Sequence, residues 1–317
     1  MVPDSSKELV VIAEAYESAG GDPAALCNKN FAGLVVSHNR ILFRNDVAGV
    51  RIEGAETPTG ARAKITVEPG AIVKDPVHLC FGVIPQEGLQ EIVSDFEIGE
   101  RARVKFIAHC FFPNAVKVKH VMDAKIHVGK DAEMTYSETH YHGEEGGVEV
   151  LPVAKVLVEE GGIFNNEFKL IKGAAGEVRL DYFADLKKDA VGELNAKIYG
   201  KKQDRIVVKE SITLSGENAR GLARSRIVAS DHSTSEVIGE AVGNAPNARG
   251  HVDCVEIIRG KDARASAVPR LLVIDERAKL THEAAIGSVD KKQVETLMAR
   301  GLAEDKAVDV VVKGMLR

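Results

Sequence analysis

The chain holds 317 residues, 44% apolar and 28% charged, with 42 lysines and arginines against 47 aspartates and glutamates. A net charge of −5 leaves no basic excess to neutralise phosphates, which argues against general binding to nucleic acid or anionic membranes. Aromatics make up 5% and tryptophan is absent, so stacking platforms for bases or sugars are not expected.

The opening stretch, Met1-Val2-Pro3-Asp4-Ser5-Ser6-Lys7-Glu8, is too polar for a secretory signal, and no run of about 18 apolar residues follows, so a soluble cytoplasmic protein is expected. Leu9, Ile12, Ala13 and Tyr16 share helical spacing, Gly20-Gly21-Asp22-Pro23 ends that helix, and Ala24 to Cys27 predict another turn. Short alternating runs come next, such as Arg103 to Ile107, Lys125 to Val128 and Arg205 to Lys209, and each predicts a strand. Beyond about residue 288 helical spacing returns. Val294, Leu297 and Met298 make one stripe, Arg300-Gly301 a break, and Leu302, Ala307, Val310 and Val311 a second stripe, with Ser288 or Asp290 as N-cap. The expected organisation is a helical region over 1–34, a β core over 35–287 and a helical region over 288–317.

A degenerate phrase recurs through the β core: a turn residue, one or two charges, then alanine. It reads Gly99-Glu100-Arg101-Ala102, Gly129-Lys130-Asp131-Ala132, Gly260-Lys261-Asp262-Ala263 and Asp275-Glu276-Arg277-Ala278, with echoes at Glu68-Pro69-Gly70-Ala71 and Gly216-Glu217-Asn218-Ala219. Glycine would take the chain through an angle closed to side chains, and alanine would fit a tight inner bend. Corners of one type without intervening long helices predict a solenoid of stacked β coils, although a β-sandwich or double-stranded barrel shares the short strands. A solenoid leaves unpaired ends, which terminal helices or a partner must cover.

Cys27, Cys80, Cys110 and Cys254 form no C-x-x-C pair, and in a reducing compartment each is first a small buried hydrophobe. Cys254, in His251-Val252-Asp253-Cys254-Val255-Glu256, precedes His282-Glu283 by 28 positions, a separation that a solenoid closes by stacking coils. Thiolate, imidazole and carboxylate are ligands for iron or zinc. The rival is His140-Tyr141-His142, two imidazoles on one strand face with Glu144 and Glu145 behind, which would make a β-rich metalloenzyme unless it is a solvated strand end. His109 should face away from its neighbour Cys110. Asp231-His232-Ser233 is too contiguous for a hydrolytic triad, and Lys187-Lys188 and Lys201-Lys202 predict solvated turns. Nothing here fits G-x-x-x-x-G-K-[ST], so any nucleotide hydrolysis would belong to another chain.

The segment Leu280 to Arg317, with His282-Glu283-Ala284, Val294 to Leu302 and Lys306-Ala307-Val308, closely resembles the C-terminal signature of the SufB/SufD family, the β-helical subunits of the SUF iron–sulfur cluster assembly machine. A second likeness is Phe106-Ile107-Ala108-His109-Cys110-Phe111-Phe112-Pro113, and the resemblance runs from about residue 35 to the end. It implies a right-handed parallel β-helix and a non-enzymatic scaffold. It also implies a transient iron–sulfur cluster, pairing through β-helix ends with itself or a paralogue, and a SufC-like ABC ATPase bound by the C-terminal helices. A separate sulfur donor protein is a further possible partner. Carried over by position, Cys110 resembles the sulfur-accepting cysteine and Cys254 a cluster ligand. His282 and Glu283 are its companions, His120 and Cys80 are weaker candidates, and Val294, Leu297, Met298 and Leu302 face the ATPase. The chain lacks the family's long N-terminal extension and a C-x-x-C-x-x-x-C group, and looks like a compact form able to serve both subunit roles in a homodimer.

Overall fold

The computed structural model describes residues 5–18 and 20–316; Met1 to Asp4, the start of the region read as too polar for a signal, lie outside the described residues. Helix α1 (Ser5–Ser18) follows the expected spacing. A single 3-10 turn over Pro23–Ala25 stands where another helical turn was expected, with the Asp22 carboxylate accepting the Ala24 N–H at 2.9 Å.

Two antiparallel hairpins open the β core: β1 (Gly33–Ser37) with β2 (Arg40–Asn45), and β3 (Val50–Thr57) with β4 (Gly60–Val67). The chain then winds through β5 (Val77–Gly82), β6 (Glu87–Ile98), β7 (Arg103–Phe112), β8 (Lys117–Val128) and β9 (Glu133–His142). It continues as β10 (Val148–Val158), β11 (Ile163–Lys172), β12 (Glu177–Leu186), β13 (Val191–Gly200) and β14 (Arg205–Leu214). The last coils are β15 (Arg220–Ser230), β16 (Thr234–Gly243), β17 (Arg249–Arg259), β18 (Arg264–Val273) and β19 (Lys279–Gly287). From β5 on, odd strands join one sheet and even strands the other, giving sheets of ten and nine strands once the hairpins are counted. Neighbouring coils pair in parallel about 30 residues apart along the chain, as in Val150 opposite Val178 and Gly60 opposite Glu91. The molecule is a β-solenoid, as the corner phrase predicted.

Each strand turns alternate side chains into the lumen between the sheets, so burial alternates along it. In β9, Met134, Tyr136, Glu138, His140 and His142 are buried, while Glu133, Thr135, Ser137, Thr139 and Tyr141 are not. The corners depart from the expectation in one respect. The positive φ belongs to the residue before the alanine at Arg101, Asp131, Asp189, Asn218 and Asn247, and before Gly162 at Gly161, with φ between 54° and 68°; in the corner at Gly260 the opening glycine carries it instead, at 108°. These corners stack through backbone bonds, such as Arg101 N–H to the Lys130 carbonyl at 2.8 Å. The glycine that opens the phrase is there for close approach instead, since a Cβ on Gly129 would stand 2.7 Å from the Ile98 carbonyl oxygen. Ala102, Ala132, Ala190, Ala219 and Ala248 fill the inner bend, all buried.

The terminal helices lie against the outside of the ten-stranded sheet. Ile12, Ala15 and Tyr16 of α1 pack on Val35, Cys80 and Phe111. Asp290 caps α2 (Lys291–Met298), and Val312 and Leu316, in and just beyond α3 (Glu304–Met315), pack on Val228, Tyr199 and Ile257. Arg259 secures α3 by pairing with Asp309 at 2.9 Å. The hairpins close the N-terminal end of the solenoid. At the other end β18 and β19 are edge strands, and Leu272, Val273, Ile274 and Ile286 are exposed.

Candidate functional site

Two polar stations interrupt the apolar lumen. The first is built by β7 and β9, whose register sets Cys110 opposite His140. Alternation along β9 brings Glu138 and His142 to the same face. Among the described residues, Cys110, Glu138 and His140 are the group whose donor atoms converge as metal ligands do, all within 4.8 Å of one another and all buried. The Glu138 Oε1 lies 2.6 Å from His140 Nε2 and 3.7 Å from the Cys110 sulfur. His140 Nδ1 lies 3.3 Å from His142 Nε2, and His142 Nδ1 lies 3.2 Å from the Ala174 carbonyl.

That carbonyl can only accept, which fixes the polarity of the chain of bonds when both rings are neutral. His142 donates from Nδ1, so its Nε2 accepts from His140 Nδ1–H. His140 Nε2 is then left with a lone pair aimed at Glu138. Burial pushes the Glu138 carboxyl up to about 7 and both ring values down to about 3, so the carboxyl keeps the proton and donates it. Burial and then the adjacent Glu138 push the Cys110 thiol well above its ordinary value. Phe168 packs tilted against His140 at 4.8 Å between ring centroids and Phe112 lies 4.9 Å from His120. His120, from β8 in the facing sheet, is fully buried 6.0 Å from the His140 ring, and neither of its nitrogens has a partner.

The expectation that His140 and His142 sit at a solvated strand end is therefore corrected: both are 1% exposed. The loop after them, with Glu144 and Glu145, is solvent-facing as expected, but the carboxylate that joins them is Glu138, two residues before. His109 does face away from Cys110. It packs under α1 against Tyr16, ring centroids 4.4 Å apart, and Cys80 is buried in that outer cluster too. Cys80 and Cys110 thus lie on opposite sides of one sheet. Asp231 is a corner residue accepting from the Lys202 N–H, with His232 exposed beside Asp262, which is a turn and not a triad.

The second station lies near the open end. Cys254 on β17 faces the lumen between Val252 and Glu256, in register with Ser225 on one side and Ala284 on the other. Val252 pairs with His282, so the pleat turns His282 toward the face of Cys254, on the last coil and open to solvent. Glu283 pairs with Asp253, whose carboxylate lies on the outer face against Arg226. Within one chain, then, the structure brings His282 to the side of Cys254 and Glu283 to the other side.

The carboxyls that do share the lumen with Cys254 are Glu256 and Glu210. Ser225 donates to Glu210 at 2.9 Å and Ser235 to Glu256, while one oxygen of each carboxyl has no partner. Burial raises them to about 8 and about 7. The Cys254 thiol is pushed up to about 12, by burial first and then by Glu210, Glu256 and Asp253. Gly239 makes room there: a Cβ on it would stand 2.4 Å from Val252 Cγ1 and 3.6 Å from the sulfur. Alternation around Cys254 carried the signal for Glu256. Alternation before His140 carried it for Glu138 in the same way, whereas Glu210 shows in the sequence only once the register is known.

Of the residues expected to face an ATPase, Val294 is buried, Leu297 and Leu302 are half-buried and Met298 is exposed. Leu297 lines a groove between α2, α3 and the strands β17 and β19, with Val255, Ile286 and Val310. No helix among the described residues is long and apolar enough to cross a membrane.

Comparison with known proteins finds relatives along nearly the whole chain. An iron–sulfur cluster assembly SufBD family protein of Methanocaldococcus jannaschii is 39% identical over 310 residues, covering 98% of each chain. One from Pyrococcus horikoshii is 34% identical over 98% of this chain and 94% of its own, and one from Archaeoglobus fulgidus is 28% identical over 78% and 66%. The family model for the SUF system FeS cluster assembly SufBD core domain matches residues 96–315, which takes in both stations and the C-terminal helices. The chain belongs to the SufBD family and has a role in iron–sulfur cluster assembly.

Proposed function

We propose that the chain is a non-enzymatic scaffold subunit, on which a nascent iron–sulfur cluster forms where two open solenoid ends meet. Cys254 would hold iron through its thiolate and His282 through its imidazole. Glu283, on the outer side of the same edge, would serve the cluster from across the two-fold axis and not from its own chain. A second copy supplies the missing half of the ligand set, because a C2 contact repeats each residue. The observation that carries this reading is the position of Cys254, one coil below an end whose edge strands and apolar side chains Leu272, Val273 and Ile274 are uncovered. Mixed, interfacial ligation suits a cargo that must leave, since imidazole and carboxylate exchange more readily than thiolate.

A SufC-like ABC ATPase would bind the α2–α3 region, with Met298 and the groove at Leu297 as its footing, and nucleotide binding would bias the interface between two states. Cys110 would take sulfur from a donor protein, a role that rests on resemblance; its buried, protonated thiol needs opening or a cation before it reacts. After anaerobic reconstitution the wild type should hold iron and acid-labile sulfide, and Cys254→Ser should lose most of both. Equal loading of the two proteins would refute the site. Deleting residues 290–317 should abolish co-purification of a Walker-motif ATPase.

A further inference from the structure

We infer that the first station is a binding site for one divalent transition-metal ion of borderline softness, Fe2+ or Zn2+, held by the Cys110 sulfur, a Glu138 oxygen and His140 Nε2, with His120 as the reserve fourth donor. The inference does not rest on the assembly reading, since the station lies five coils from Cys254 in the strand order.

Four observations lead there. The three donor atoms already converge, with separations of 2.6 and 3.7 Å measured from Glu138 Oε1. Ligands about 2.0–2.3 Å from a tetrahedral metal stand about 3.5 Å apart, so movements under about 1 Å complete the set. The Glu138 carboxyl and the His140 imidazole now partner each other along the line an ion would share.

The outer partners are those of a metal-bound histidine. His140 uses its far nitrogen on His142, which is anchored on the Ala174 carbonyl, so Nε2 is fixed as the ligating atom. His120 is the third observation. A fully buried imidazole with both nitrogens unpartnered is costly, and it faces His140 across the lumen.

Charge balance is the fourth. A divalent ion replaces two protons, one from the thiol and one from the carboxyl, and the +2 ion with one thiolate, one carboxylate and neutral imidazoles is uncharged overall. Such a set can stay buried where a lone charge could not. The aromatic shell of Phe112 and Phe168 then keeps water out. The adjoining cavity that Glu138 lines is about 20 Å³, room for one water and not for a substrate, so this is a holding site and not the metalloenzyme centre that His140 and His142 suggested from sequence.

The test is Co2+ titration of the full-length chain under anaerobic conditions, with loading also attempted during refolding. The expected result is one equivalent per chain with a thiolate-to-cobalt charge-transfer band and the visible bands of a four-coordinate ion, displaced by Zn2+ and indifferent to Mg2+. The chain carrying Cys27→Ser, Cys80→Ser and Cys254→Ser together should keep the band. Cys110→Ser should lose it, and Glu138→Gln should weaken binding at least about tenfold. A wild type with no thiolate band overturns the inference, as does a band that survives Cys110→Ser. Should Cys110→Ser fail to fold, the triple variant decides alone: without the band, the sulfur ligand is another cysteine and the site is wrong.

Discussion

The two stations share one lumen and one pleat, yet they are bounded in opposite ways. Around Cys110 the walls are large rings, Phe112, Phe168, His120 and His142, and the hairpins β1–β2 and β3–β4 shut the end beyond them. Around Cys254 the neighbours are small: Ser225, Gly239, Ser235 and Ala284, with a single coil left before solvent. The first station is complete within one chain, and its polar groups satisfy one another apart from His120. The second leaves carboxyl oxygens of Glu210 and Glu256 unpartnered and its His282 exposed. A lumen finished by aromatic packing is suited to holding something; one that ends in small side chains and free edges is suited to completion by another surface.

Removing a large apolar side chain at each end is the sharpest way to break this contrast. Phe168, fully buried against His140, should cost about 3–5 kcal/mol on truncation to alanine, because the rigid coils above and below cannot collapse into the hole. Leu272→Ala at the open edge should change monomer stability by no more than about 0.5 kcal/mol, since the side chain is already in water. Urea unfolding of both variants measures this. Similar losses would mean that the ends are equally packed and the distinction is void.

The carboxyls of the open station give the next largest effect. Glu210 titrates near 8 when folded and near its ordinary 4.5 when unfolded, with burial the main cause. Between those values the folded chain holds a proton that the unfolded chain has released, so stability present below about pH 4.5 declines as pH rises and levels off above about 8. Glu210→Gln removes the titrating group and leaves an acceptor for Ser225. Its decline between pH 5 and 8 should be smaller than that of the wild type by roughly 1–3 kcal/mol. Parallel stability curves for the two proteins would show that Glu210 is solvated, and hence that the station is open to water further down than Cys254.

The sequence made the fold legible through its corners and hid the regularity of those corners. The left-handed position is filled in turn by Arg101, Asp131, Gly161, Asp189, Asn218 and Asn247; glycine, asparagine and aspartate tolerate that φ best, and the corner faces water. From Arg101 to Asn247 the backbone rule holds while the letter changes, and it lapses in the last coils, where neither Asp262 nor Arg277 has a positive φ, so the repeat reads as irregular. Lys187-Lys188, read as a solvated turn, is one of those corners. The sites were legible for a different reason. Cys254 and His282 could be paired because stacked coils bring distant residues together, whereas the side on which each falls needs the register to one residue. That single unit of register separates His282 from Glu283, and it also moved His140 and His142 from a presumed surface to the interior. Glu138 is the less conspicuous carboxylate because Glu144 and Glu145 follow the histidines directly, although the pleat offers the position before them equally.

The smallest expected effect tests whether the outer face of the open station matters to the inner one. Arg226 grips Asp253 with two bonds, Nη1 to Oδ1 at 3.0 Å and Nη2 to Oδ2, and Arg224 lies 3.4 Å from Oδ2. Burial alone would raise the Asp253 carboxyl; the Arg226 bonds and charge outweigh it and hold the group below its ordinary value. Arg226→Ala should cost about 1–2 kcal/mol: the pair is only 20% and 14% exposed, but Arg224 remains to share the charge and keeps the loss from growing larger. The loss should shrink with added salt, since screening acts on a face in contact with water. Alkylation of Cys254 in the folded protein should keep its wild-type rate, because residues 253 and 254 point to opposite sides of the strand and only the sulfur faces the lumen. A marked rise in that rate would mean that the two faces are coupled through the edge of the sheet. The free edge at β19 would then be loosened by changes on its outer side, and the exposed Glu283, in register with Asp253, would be placed to transmit them.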